Sequence, residues 1–283
     1  LYKDDVQLSI IGFGGIVVCG EEQSTGNRYV AESIDRGVNY FDVAPSYFEG
    51  EAERKLGVAL APYRNNIFLA CKTGQRDAAG ARTELETSLR QLRTDHFDLY
   101  QFHAVTTRQD IDQILGPAGA AETFLKARDA GLVRYIGFSA HSVEAALALF
   151  DAFPVDSVLF PLNFTAVASG NFGTQILERA RQAGAACLAL KAMAATPWAE
   201  GEEHQYPKAW YKPAGTPDLR RRALRFTLSQ SITAAIPPGH YELYHEALET
   251  AASFVPMDQA EQQTLLAEAA ALTPLFRFPK EGE

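Results

Sequence analysis

The sequence predicts an α/β protein: a single (β/α)8 barrel of parallel strands with an additional C-terminal helix. Three observations lead there. Short apolar runs recur eight times along the chain, and segments of helical spacing lie between them. The 283 residues fit the ~250 typical of such barrels. No shift in composition divides the chain, so residues 1–283 are expected to form one domain. The count of eight favours a closed barrel over an open doubly wound sheet.

The runs fall at 8–14, 40–44, 67–72, 97–103, 133–139, 157–163, 186–191 and 233–237. They are brief and nearly continuous in apolar character, as strands covered on both faces should be. Amphipathic segments at 52–60, 82–92, 143–150, 175–183 and 218–230 supply helices. In the segment 82–92, Leu85, Leu89 and Leu92 mark one face and Arg90 is left for water. Thr216-Pro217-Asp218 combines a cap, a first-turn proline and an acidic residue ahead of Leu219. Gly131 and Gly184 stand where helices should stop, and 258–272 reads as the extra helix. Two connections, 105–121 and 194–217, are longer than ordinary loops, and such segments are usually functional or disordered. The second holds Trp198, Tyr206, Trp210 and Tyr211, which could stack on a substrate or pin the loop to the barrel.

Composition narrows the function classes. With 47% hydrophobic and 22% charged residues the chain is ordinary globular protein rather than disordered, collagenous or coiled coil. Lys and Arg total 26 against 35 Asp and Glu, a net charge of −9, which disfavours nucleic acid and anionic membranes as partners. Cys19, Cys71 and Cys187 are isolated in apolar runs, so neither a disulfide framework nor a metal site is expected. No apolar stretch reaches the ~18 residues of a membrane span. The opening Leu1-Tyr2-Lys3-Asp4-Asp5 is neither a signal nor a transit peptide and reads as a trimmed start. A cytoplasmic protein acting on a small molecule is expected, and the oligomeric state is not readable.

In a parallel barrel the C-terminal strand ends converge on one mouth. The residues there are Asp42, Lys72, His103, Ser139, Asn163 and Lys191, with Tyr47 on the loop after Asp42. Singly, Lys72 could be a rim lysine, His103 a core histidine and Asp42 a cap. Six successive polar strand ends point to chemistry. These residues resemble the aldo-keto reductase family. Asp42, Tyr47, Lys72 and His103 are similar to its catalytic tetrad, and Tyr40-Phe41-Asp42-Val43-Ala44-Pro45-Ser46-Tyr47 to its FDTAxxY run. Gly50-Glu51-Ala52-Glu53-Arg54-Lys55-Leu56-Gly57 resembles the following GxSExxLG stretch, with Ala52 where serine is usual. Gly12-Phe13-Gly14-Gly15 matches the family's glycine turn, and the run from Gly131 to Ser139 its GKVRxIGxS segment.

The resemblance implies carbonyl reduction, or its reverse, by hydride transfer from NADPH, with NADH also admitted. Tyrosine's ordinary pKa of ~10 is high for proton shuttling at neutral pH. An ammonium such as Lys72 would lower it, Asp42 would orient the lysine, and His103 would bind the carbonyl oxygen. On the cofactor side, Ser139 is kept, but Ala140 and Leu159 replace the amide side chains that the family sets against the nicotinamide. Leu190-Lys191 stands where an aromatic often stacks. Gly14, Gly15, His141, Asn163 and Lys191 are the remaining candidate cofactor contacts. Pro237, Gly239 and His240, entering a helix, are candidates for the phosphates. Arg220, Arg221, Arg222 and Arg225 form a basic cluster readable as a solvated helix face or a phosphate clamp. Phe48, Trp198 and Trp210 are candidate substrate contacts, and His204 with Glu202 and Glu203 lacks convincing metal spacing. Two other readings stay open: a Schiff-base lyase or aldolase using Lys191, and a nucleotide-binding regulatory protein on the same fold.

Overall fold

All eight predicted runs form strands or strand ends of one closed sheet. The structure is a computed structural model describing residues 1–279. Its strands are β1 (Phe13–Gly14), β2 (Tyr40–Asp42), β3 (Phe68–Thr73), β4 (Phe97–Val105), β5 (Val133–Ala140), β6 (Ser157–Pro161), β7 (Ala186–Leu190), β8 (Ala194–Pro197), β9 (Tyr211–Pro213) and β10 (Ala234–Ile236). Seven parallel pairings run β1-β2-β3-β4-β5-β6-β7-β10. Ile11 bridges Ala235 to close the ring, with the Gly12 amide donating to the Ala235 carbonyl and the Ala235 amide to that of Ile10, both at 2.9 Å. This is the (β/α)8 barrel that the sequence predicts.

The two-residue period of a strand sorts every side chain to the inside or the outside of the ring. Phe41, Leu69, Cys71, Tyr100, Phe102, Ile136, Phe138, Val158 and Phe160 point outward into the apolar layer under the helices. Tyr40, Phe68, Ala70, Leu99, Tyr135, Leu159, Leu188, Ala234 and Ile236 fill the interior. The N-terminal segment plugs the bottom. There Tyr2 packs on Phe68 and Tyr135 with ring centroids 4.9 and 5.2 Å away, and its hydroxyl donates to Ser157 Oγ at 3.0 Å. With that end filled, the top is the only open mouth of the ring among the described residues, and the inward series 40–42, 70–72, 99–101–103 and 135–137–139 ends there on Asp42, Lys72, His103 and Ser139.

The helices Glu51–Leu60, Ala78–Gln91, Val143–Ala152, Thr174–Ala183 and Pro217–Leu228 lie on the expected segments. Thr216 caps the last of these by accepting from the Leu219 amide at 3.2 Å, and Gly131 and Gly184 have φ of +74° and +64°. The extra helix is Gln259–Ala269, capped by Asp258. Five further helices, Gln23–Asp35, Arg108–Leu115, Ala120–Asp129, Phe164–Gly170 and Tyr241–Ala252, complete the outer ring. The first escapes a periodicity reading because its buried face is Gly26, Val30 and Ser33, too small and polar to register as an apolar stripe. The 105–121 connection, expected as a loop, carries Arg108–Leu115, started by a capping box between Thr107 and Asp110. The 194–217 connection folds into the antiparallel ribbon β8–β9.

Candidate active site

At the open mouth lies a cavity of about 270 Å³. Of the residues singled out from the sequence, Gly14, Asp42, Tyr47, Lys72, His103, Ser139, His141, Leu159, Leu190, Lys191, Trp210, Tyr211, Pro237 and Gly239 line it. The others sit elsewhere. A side chain at Gly15 would meet Val43 and Leu56. The Asn163 carboxamide oxygen caps Phe164–Gly170, accepting from the Ala166 amide at 2.9 Å. His240 accepts from the Lys208 amide at 3.0 Å. Phe48 is 47% exposed outside the cavity. Trp198 stacks on His204 and donates to the Ala209 carbonyl at 2.9 Å, so it pins the ribbon, as do Tyr206 against His240 and the buried Tyr211. Of those four aromatics, Trp210 and Tyr211 line the mouth.

Lys72 is fully buried and forms an ion pair with Asp42, itself 1% exposed. It also donates to the Val43 carbonyl at 3.1 Å, and the second Asp42 oxygen accepts from Tyr40 at 3.2 Å. With two of the three ammonium N–H groups used, the remaining one is left for Tyr47, whose ring centroid lies 5.3 Å from Nζ. Burial works against the charge on Lys72, but the Asp42 carboxylate outweighs it and moves the lysine above its ordinary pKa. Burial moves the Asp42 carboxyl up, with the ammonium opposing. It moves the Tyr47 phenol up as well, again against Lys72. Tyr47 is thus a protonated donor beside a fixed cation. The loop that carries it turns sharply, with Phe48, Glu49 and Gly50 at φ of +49°, +52° and +78°, and delivers the chain into the helix starting at Glu51.

His103 stands edge-on to Tyr47, ring centroids 5.9 Å apart. Burial, reinforced by the Lys72, Arg76 and Lys191 cations, lowers its pKa to about 3. It is therefore a neutral imidazole at pH 7, able to donate one N–H without carrying charge. A bulge after it holds Ala104 at φ +52°. That bulge is tied down by the Ala104 amide donating to Ser139 Oγ at 2.8 Å and by Arg76 donating to the Ala104 carbonyl at 3.1 Å. Arg76 is in turn paired with Asp110 at 2.8 Å. Arg76 and Asp110 escape a sequence reading; the Thr107-x-x-Asp110 spacing was the available signal. Because His103 is already neutral at pH 5, the pH profile of kcat/KM for an uncharged carbonyl reduced here is expected to lack a limb near the ordinary histidine value of ~6.5. A clear ionisation in that range, lost in His103→Gln, would contradict the assignment.

The four arginines of Pro217–Leu228 are all in ion pairs: Arg220 with Glu246, Arg221 and Arg222 with Asp218, Arg222 also with Glu268, and Arg225 with Glu261. Arg220, Arg222 and Arg225 brace the helix against its neighbours, and Arg221 pairs within it. The three cysteines are buried thiols. Among the described residues no cluster of His, Cys, Asp or Glu could hold a metal, and no helix is long and apolar enough to cross a membrane.

The closed parallel barrel thus carries at its mouth a buried Lys–Asp pair beneath a tyrosine and a neutral histidine. The chain belongs to the aldo/keto reductase family, whose sequence pattern it matches over residues 11–255. It is 31% identical over 170 residues to the aldo-keto reductase YhdN of Bacillus subtilis, a stretch covering 56% of this chain and 50% of that one. The chain spans about half the length of the curated relatives it matches. In three dimensions it resembles the aldo-keto reductase AKR11C1 of Bacillus halodurans in its holo form, with a TM-score of 0.75, 22% identity and 98% of both chains covered. It also resembles an aldo-keto reductase of Klebsiella pneumoniae in complex with NADPH, with a TM-score of 0.72, 18% identity and 98% of both chains covered.

Proposed function

We propose that this chain is an NAD(P)H-dependent oxidoreductase that reduces an aldehyde or ketone to an alcohol, or runs the reverse reaction. The observation that carries the proposal is the stacking order at the mouth: Asp42 pairs with Lys72, Lys72 lies against Tyr47, and Tyr47 meets His103 edge-on. A carbonyl oxygen placed between Tyr47 and His103 would accept from both. The Tyr47 hydroxyl gives up its proton to that oxygen, the Lys72 ammonium stabilises the phenolate left behind, and Asp42 keeps the ammonium charged and in place. Neutral His103 donates without competing as an acid. In the reverse direction the phenolate takes the alcohol proton, so oxidation is favoured as pH rises.

The residues at the mouth fit a nicotinamide cofactor. Leu159, Leu190 and Ile236 form an apolar bed in the cavity wall, and Ser139 brings a hydroxyl. The helix Tyr241–Ala252 begins without a side-chain cap, which leaves its first amides for a phosphate. A Cβ on Gly239 would lie 2.3 Å from Ile16, so only glycine lets this wall close on the β1 loop. Lys208 adds a cation there, paired with Glu21 at 3.0 Å. When bound, the reduced nicotinamide supplies the hydride. NADPH is the cofactor proposed, in line with the Klebsiella relative. NADH suits the same donors, because the Arg220–Arg225 cluster is spent on carboxylates. The lyase and regulatory readings are disfavoured by family membership and by the complete Asp42–Tyr47–Lys72–His103 set.

The test is titration with NADPH and NADH, followed by a panel of carbonyls monitored by loss of reduced-cofactor absorbance. Binding of one nucleotide and its consumption with at least some carbonyls are expected. Binding of neither would overturn the proposal.

A further inference from the structure

Two lysines are buried at the mouth, and they are not alike. Lys72 has a carboxylate partner. Lys191, which follows β7, is 7% exposed and makes no ion pair among the described residues. Its backbone is in the left-handed region, φ +61°, an uncommon state for a side chain with a Cβ, and the turn is closed by the Ala194 amide donating to the Lys191 carbonyl at 2.9 Å. Nζ lies 3.0 Å from His141 Nε2, 5.2 Å from the centre of the Trp210 ring and 5.7 Å from that of Phe276.

The cage is assembled from remote segments. Trp210 comes from the ribbon and His141 from the end of β5. Phe276 comes from the tail beyond the extra helix, where it stacks on Phe172 at 5.0 Å. The tail is held by the Phe278 amide donating to the Gly170 carbonyl at 2.9 Å. A Cβ on Gly170 would stand 2.4 Å from the Phe276 carbonyl oxygen, so the tail's course depends on glycine there.

We propose that Lys191 is the anchor for a carboxylate carried by the substrate, which makes the preferred substrates short aldehydes or ketones bearing an acidic group. The proposal rests on the carbonyl-reductase reading of the same site. His141 takes one of the three ammonium N–H groups and leaves two for a ligand. The aromatic faces favour a cation but bring no counter-charge, and His141 and His103, the titratable groups facing Lys191, are both neutral at pH 7. Burial lowers the Lys191 pKa to about 7, so an arriving carboxylate restores the charge that the site lacks and draws a proton onto the amine. Lys191 touches His141 at 3.0 Å, and its charge is felt by both His141 and the tetrad's His103, whereas the uncapped helix start proposed for phosphates begins at Tyr241. The anion is therefore expected at the reacting end of the site.

The experiment pairs 4-oxobutanoate with its methyl ester under saturating NADPH, in the wild type, Lys191→Met and Lys191→Arg. The wild type is expected to prefer the acid, and Lys191→Met to lower the acid-over-ester ratio of kcat/KM about tenfold through KM, as for a lost charge-assisted bond. Lys191→Arg should keep part of the preference. Calorimetry of the NADP+-saturated protein with butanoate gives a readout free of turnover. At about pH 8 the wild type should bind it with proton uptake, seen by comparing buffers of different ionisation enthalpy, and Lys191→Met should not. An unchanged acid-over-ester ratio, or equal butanoate binding by wild type and Lys191→Met, overturns the proposal; so does a weakening confined to NADPH. Lys191-dependent butanoate binding with neither carbonyl reduced would retain the anion site and overturn the reductase reading instead.

Discussion

Tyr47→Phe is expected to lower kcat for carbonyl reduction about 10²- to 10⁴-fold, the usual worth of a positioned general acid. The hydroxyl is the one acidic proton placed against both Lys72 and His103, and neither neighbour can replace it. Lys72 is held by Asp42 and Val43, and His103 is a neutral imidazole with its pKa near 3. The phenyl ring retains the packing, so nucleotide affinity should change little. Steady-state turnover with a saturating aldehyde, beside a fluorescence titration with NADPH, separates the two effects. Turnover within about tenfold of the wild type would remove Tyr47 from the chemistry.

Lys72→Met should act on both stability and rate. It leaves the Asp42 carboxylate at 1% exposure without its cation, and breaking a buried pair from one side costs about 3–5 kcal/mol. Replacing both partners in Asp42→Leu/Lys72→Met should cost less than the single change, because no buried charge is left alone. Urea denaturation of the three proteins tests this, and a double variant less stable than Lys72→Met would refute it. The pH dependence has a defined sign. Lys72 is raised above its ordinary value, so its contribution is complete below lysine's usual ~10.4 and is lost as pH climbs through the folded-state value. Catalytically, loss of the ammonium removes what stabilises the Tyr47 phenolate, so alcohol oxidation should suffer at least as much as reduction.

Much of this was legible in the chain. The strands were visible because a parallel strand buried on both faces is an unbroken apolar run, as at 67–72 and 186–191. The inward register then carried Asp42, Lys72, His103 and Ser139 to one rim by period alone. The aromatic ribbon was visible as a segment with reasons to pack, but which rings face the mouth was not. Helix Gln23–Asp35 was hidden by its small buried face. Arg108–Leu115 was hidden inside a segment whose length suggested a loop.

By itself the sequence determined the barrel, its order of strands and the four residues that crown it, because these follow from local periodicity and from spacing within short runs. Tertiary structure alone decided the ionisation state of the site and the company of Lys191. Neutral His103 results from burial among the Lys72, Arg76 and Lys191 cations. The cage of Lys191 needs Trp210 and Phe276, which stand 19 and 85 residues along the chain from it. Desolvation and through-space charge depend on which groups the fold brings near, and no local pattern encodes that distance.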